Sequence, residues 1–172
     1  MAKIVAYDFI PDTIIGSVWI AATKDGLLAV DFDLTELEFV KKIREPFRVH
    51  FNDEKHLVTP FTNQINAYLQ KEIIDLDVEV DLSKCSDFQR KVLLEVKQIP
   101  YGQAITYAEL ARRVGDPKAF RAVGQALRRN PVPIAVPCHR VLHSDGTLGG
   151  YGGVMGSKRK IKLLKLEGVI LT

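Results

Sequence analysis

From Ser86 onward the apolar residues of this 172-residue chain take up a helical spacing. Before it, apolar and polar side chains tend to alternate; after it, apolar residues recur every three or four positions. Alternation places successive side chains on opposite faces of a strand, whereas the longer period draws an apolar stripe down one side of a helix. The two patterns belong to different architectures, so the sequence predicts two modules, residues 1–84 and 85–172. Charge divides at the same place. Residues 1–85 carry 9 Lys+Arg against 15 Asp+Glu, a net of −6, and residues 86–172 carry 15 against 6, a net of +9. A basic second module fits a polyanionic partner or a merely solvated surface, and charge alone does not choose between them.

In the first module, KIVAYDFI, GSVWIAAT and GLLAVDFD are rich in β-branched and aromatic residues and are separated by turn residues. Asp25-Gly26 is a hairpin signal between the second and third runs. FTNQINAYLQ, after Pro60, has helical spacing at Phe61, Ile65, Tyr68 and Leu69, and VEVDLS reads as a further short strand. The second module opens with SDFQRKVLLEVKQI, whose stripe is Phe88, Val92, Leu93, Val96 and Ile99, capped by Ser86 or Asp87. Thr106 caps TYAELARRV with Glu109 as its capping-box partner, and AFRAVGQALRRN follows the break at Gly115-Asp116-Pro117. Two short helices around a glycine-containing turn fit a helix-turn-helix. The basic KRKIKLLKLEG is a last helix, stopped by Gly168. The fold class is therefore α+β: a small N-terminal antiparallel sheet plus helix, and a mainly helical C-terminal domain with a helix-turn-helix.

With 47% hydrophobic and 26% charged residues, and no apolar run near the roughly 20 residues a bilayer span requires, a membrane protein is not expected. The start, MAKIVAYDFIPDT, has acids early and no long apolar region, so no secretory signal is expected and the cytoplasm is the default. Cys85 and Cys138 are too few for a disulfide framework. The four histidines, His50, His56, His139 and His143, form no zinc-ligand spacing with them, so neither metal nor cofactor is expected. Cys138 lies in PCHRV, where His139 and Arg140 are candidate activators by adjacency. A nucleophilic cysteine needs such a base or cation to become a thiolate; a buried inert thiol and a Cys85–Cys138 disulfide remain alternatives.

NPVPIAVPCHRV followed by SDGTLGGYGG resembles the active-site region of the O6-alkylguanine-DNA alkyltransferases. IPYGQAITYAELA, FRAVGQALRRNP and the terminal Leu166-Glu167-Gly168 resemble that family's other motifs, in unbroken order from about Phe88 to Gly168. The resemblance implies a protein that transfers an alkyl group irreversibly from O6-alkylguanine to its own cysteine, and it leaves O4-alkylthymine open as a second substrate. It implies Cys138 as nucleophile, His139 acting on it through a water, Glu167 orienting His139, Tyr107 donating to the guanine, and Asn130 bracing the turn. Arg121 is implied as the finger filling the duplex after base flipping, with Ala122, Gly124, Arg128 and Thr106 also facing DNA. Tyr107, Val141, Tyr151, Gly152 and Gly153 are implied as the substrate pocket. The implied partner is double-stranded DNA bearing O6-alkylguanine, bound in the minor groove with little sequence preference, by a monomer. Phe120 departs from the family pattern by its bulk beside Arg121. His143 is expected at the surface, Cys85 in the core, and His50 and His56 receive no role. The competing readings are a helix-turn-helix regulator that binds DNA without using its thiol, and a Cys-His hydrolase.

Overall fold

Three strands begin the chain in the computed structural model, which describes residues 2–45, 48–151, 154–155 and 157–171, with backbone only at 154 and 155. β1 (Lys3–Thr13) pairs antiparallel with β2 (Gly16–Thr23), and β2 with β3 (Gly26–Phe32). The expected turn lies at Lys24-Asp25, and Gly26 follows it at φ +130°. A side chain at Gly26 would also meet the Glu79 carbonyl at 2.6 Å, so glycine is required there on two grounds. The segment pressing on it is VEVDLS. It makes one parallel bridge, Val80 to Leu27, and no full strand, which corrects the sequence expectation.

Two elements were missed in this half. Helix α1 (Glu36–Arg44) begins at a reciprocal capping box between Thr35 and Glu38 and buries Phe39 and Ile43, four residues apart. Strand β4 (Val49–Phe51) joins β1 in parallel, so the sheet order is β3-β2-β1-β4 and only its first three strands are antiparallel. Phe39 stacks on Trp19 at 5.5 Å between ring centres, within a cluster that includes Val5, Ala21, Leu28 and Ile43. Helix α2 (Thr59–Leu69) follows, with Pro60 in its first turn and Ile65, Tyr68 and Leu69 buried.

The chain divides into two compact units, Met1–Lys84 and Cys85–Thr172. In the second, α3 (Asp87–Lys97) is capped by Ser86 and buries Val92, Leu93 and Val96; Phe88, at the N-terminal end, is instead 39% exposed. A short strand β5 (Ile105–Thr106) leads into α4 (Tyr107–Arg113), and a turn through Gly115 leads to α5 (Phe120–Arg128). The Thr106 hydroxyl accepts from the Glu109 N–H as expected, but the Glu109 carboxylate turns to Arg112 and Arg113 instead of closing a capping box. α5 packs on both α4 and α3. β6 (Val141–Leu142) pairs in parallel with β5, β7 (Gly150–Tyr151) pairs with β8 (Val154–Met155), and α6 (Lys158–Leu166) is followed by Gly168 at φ +77°. Among the described residues, no helix is long and apolar enough to cross a membrane.

Asp81, buried in the first unit, accepts from Lys3 Nζ at 2.6 Å, Thr23 Oγ1 at 2.9 Å and Ser83 Oγ at 2.6 Å. Burial opposes its charge, yet Lys3, Ser83 and Thr23 prevail and lower its pKa from 3.8 to about 2. The folded value lies below the unfolded one. This stabilisation is therefore present at neutral pH and is lost as pH falls from about 4 to about 2. Asp81→Asn is expected to lower stability at pH 7 by about 2 kcal/mol, with the gap to wild type closing as urea unfolding is repeated down to pH 2.5.

Candidate active site

Asn130 ends the helix-turn-helix and starts the segment carrying Cys138. Its Oδ1 accepts from the Val132 N–H and its Nδ2 donates to the Val136 carbonyl, each at 3.0 Å. One side chain so ties both ends of the turn, and a bridge between Pro133 and Val136 closes it further. Ile134, inside the turn, is buried at φ +75°. A β-branched residue rarely adopts that conformation, so its strain is borne by the surrounding prolines, Asn130 and packing. Pro137 then leads into a single 3-10 turn, Cys138–Arg140, with all three side chains buried.

His139 and Arg140 both reach Glu167, which follows α6. His139 Nε2 lies 2.8 Å from Glu167 Oε1. Arg140 donates to the same carboxylate through Nε at 2.9 Å and Nη2 at 2.7 Å, and through Nη1 to the Ile99 carbonyl at 2.6 Å. The Gly102 N–H adds a longer bond at 3.3 Å. A carboxylate only accepts, so His139 keeps its proton on Nε2 and presents Nδ1 as the basic nitrogen. Burial pushes His139 down from the usual imidazole range, against the pull of Glu167. Burial likewise pushes the Cys138 thiol up, opposed by a hydrogen bond from Asn130 and the charge of Lys160. At rest the pair is a neutral thiol and a neutral imidazole.

The cation that acts on Cys138 is thus Lys160 and not Arg140, whose guanidinium is engaged by Glu167. Lys160 is wholly buried on α6. Its ammonium donates to the carbonyls of Val141 at 2.7 Å and of Leu148, and stands 5.8 Å from the centre of the Tyr107 ring. Burial lowers its pKa from 10.5 to about 8. The sequence carried a sign of it: Lys160, Leu163, Leu164 and Glu167 occupy one helical face, where a lysine is out of place unless it has partners.

Cys138 opens into a cavity of about 520 Å³. Tyr107, His143 and Tyr151 wall it, and the rim is the face of α5 bearing Phe120, Arg121, Gly124 and Arg128. Tyr107 is tilted against His143 at 4.9 Å between ring centres, and Tyr151 stands edge-on to His139 at 6.4 Å. Gly149 has φ +70°, and a side chain there would come within 2.7 Å of the Tyr107 hydroxyl, so the loop closes on Tyr107 only as glycine. His143 is exposed as expected, yet it borders the cavity. Val141 is fully buried and does not line the cavity, contrary to expectation: its backbone is spent on pairing with Ile105 and accepting from Lys160. Ala122 and Thr106 stand outside the lining, on the exposed side of α5 and at the head of α4. Gly152 and Gly153 lie outside the described residues. Cys85 is buried, and no disulfide joins it to Cys138. Among the described residues, no cluster of side chains could hold a metal ion.

Gly124 sits within α5 with nothing inside 4 Å of where a side chain would begin. Packing within the protein does not demand glycine here, although glycine in a helix interior costs about 1 kcal/mol relative to alanine.

Two family models match the chain: 6-O-methylguanine DNA methyltransferase, DNA binding domain, over residues 87–169, and 6-O-methylguanine DNA methyltransferase, ribonuclease-like domain, over residues 5–82. The methylated-DNA--protein-cysteine methyltransferase of Mycobacterium tuberculosis is 43% identical over 134 residues, 78% of this chain and 79% of that one. Its counterpart in Methanosarcina acetivorans is 40% identical over 154 residues, 90% and 93% of the two chains. A crystal structure of Mycobacterium tuberculosis OGT in complex with DNA matches with a TM-score of 0.77 at 36% identity, covering 94% of this chain and 92% of that one.

Arg140→Met should leave the buried Glu167 carboxylate without its two-pronged partner and the Ile99 carbonyl without its donor. The expected loss is about 3–5 kcal/mol in urea unfolding, whereas a drop below 1 kcal/mol would contradict the tethering role given to Arg140.

Proposed function

Since the chain belongs to the 6-O-methylguanine DNA methyltransferase family, we propose that it repairs DNA by taking the alkyl group of O6-alkylguanine onto its own Cys138, once per molecule. The observation that carries the assignment of Cys138 is its place in a cavity rimmed by an arginine-bearing helix, one residue from an imidazole held by a buried carboxylate.

The O6 substituent lies within the base stack, so the nucleotide must rotate out of the duplex to meet a buried sulfur. α5 enters the minor groove, where Gly124 lets backbone approach backbone and Arg128 meets phosphate. Arg121 fills the gap left by the extruded base, and Ala122 and Thr106 lie against the DNA on either side. Contacts dominated by phosphate make binding largely indifferent to sequence. In the cavity the Cys138 proton passes to His139 Nδ1 through a water, while Glu167 stabilises the imidazolium. The thiolate attacks the alkyl carbon; an S–C bond forms as the O6–C bond breaks, and the electron pair stays on guanine. Burial, and then the charge of Cys138, raise the Tyr107 phenol above its ordinary range, so it remains a protonated donor to the guanine anion. The thioether does not hydrolyse, so the protein is consumed.

Every residue in this scheme belongs to residues 85–172, which supports action as a monomer, with residues 1–84 as a supporting domain. A free thiol that must stay reduced suits the cytoplasm. A DNA-binding regulator that ignores its thiol is less well supported, because Cys138 opens into the cavity and lies under the charge of Lys160.

Mixed with duplex DNA containing O6-methylguanine, the wild type is expected to gain a single methyl group on Cys138 by intact-protein and peptide mass spectrometry, and Cys138→Ala none. An unmodified wild type under excess substrate would refute the assignment. Gly124→Ala separates fold from function: it should stabilise the free protein by up to about 1 kcal/mol while slowing repair of duplex DNA.

A further inference from the structure

Phe120, the first residue of α5, is 49% exposed and lies on the rim of the cavity that holds Cys138. Solitary exposed apolar residues are common and need no explanation. Phe88 and Leu94, on α3, are of that kind, since neither lines the cavity. Phe120 differs in three respects. It adjoins Arg121, whose guanidinium carbon stands 5.9 Å from the ring centre. It stands on a helix whose exposed side chains include Arg121 and Arg128, with Arg129 exposed just after it, so the ring is presented to a polyanion. And it sits at the entrance through which a nucleotide must pass to reach the sulfur.

We propose that Phe120 is a second wedge in the duplex, its ring stacking on the base pair that flanks the extruded nucleotide while Arg121 occupies the vacated place. The inference rests on the reading of this site as a base-flipping alkyl acceptor. Extrusion leaves apolar base faces open to water. A guanidinium covers them incompletely, and apolar wedges at opened steps are how minor-groove proteins hold a kinked duplex. The aromatic ring covers the flanking face, and the cation beside it is attracted to the ring and steadies both side chains at one step. Gly124, one turn further on and bare of side chain, lets the helix sink far enough for a ring at its first residue to reach the stack.

The test compares wild type, Phe120→Ala and Phe120→Trp on two substrates: duplex DNA with one O6-methylguanine, and the free base O6-benzylguanine, which needs no flipping. 2-Aminopurine beside the lesion reports stacking. Phe120→Ala should react with duplex at subsaturating protein about 10-fold more slowly, within a range of about 5- to 100-fold, as expected for losing one base–aromatic stack. Its rate on the free base should stay within about twofold of wild type, and Phe120→Trp should restore the duplex rate. Wild type should alter the 2-aminopurine signal on binding, and Phe120→Ala should abolish most of that change. Equal duplex rates for wild type and Phe120→Ala overturn the wedge and leave the repair function standing. Equal losses on both substrates overturn it too, by making Phe120 a pocket wall. A wild type inert to duplex removes the repair function, and the wedge falls with it.

Discussion

The Glu167 carboxylate is the joint on which the second unit is assembled. It is fully buried, and four groups converge on it: the His139 ring, Nε and Nη2 of the Arg140 guanidinium and the Gly102 N–H. These come from two separate parts of the chain, so one charge fixes the end of α6 against the Cys138–Arg140 turn and the loop after α3. A buried carboxylate is tolerable only when its neighbours replace the water it has lost. Arg140 supplies the countercharge and His139 the remaining hydrogen bond, an arrangement that also sets which imidazole nitrogen is basic. Structural and chemical requirements therefore act on the same atoms, and neither can be altered alone.

How much of this was legible in the sequence depends on how local the cause was. The Ser86 and Thr106 caps, the glycine stops and the stripe on α3 arise from neighbours within one turn, and they were readable at the level of single residues. The order of PCHRV, Tyr107, Asn130 and Glu167 was readable as a resemblance, and the cavity brings Cys138 and Tyr107 together as that order implied. What escaped depended on distant partners. The strand β4 is three residues long and exists because β1 offers it an edge. Val80 reads as strand by alternation, yet only one bridge to Leu27 is geometrically available. Lys160 is spelled like a solvated charge in a basic helix, and only the carbonyls of Val141 and Leu148 reveal it as buried. α1 was different: its capping box stood in the open, and its short apolar content hid it.

Several residues near the site are poor choices for folding. Ile134 occupies a left-handed conformation, Lys160 gives up its hydration, and Gly124 loosens a helix that has room for alanine. Each concession has a geometric effect. Ile134 lies in the turn leading to the cysteine, Lys160 brings positive charge to bear on Cys138, and Gly124 leaves one helix face bare. Local rules of stability fail together around Cys138, as expected when a site is held in shape by the rest of its fold.

Burial of the sulfur has one more consequence. A group that can be spent only once must last until it is needed, and the hazard to a waiting thiol is adventitious oxidation and stray electrophiles, both of which act on the thiolate. Keeping Cys138 protonated and nearly enclosed gives it shelf life. In the proposed reaction the relay to His139 then functions less as an engine than as a release catch, set off by the arrival of a base that fills the cavity.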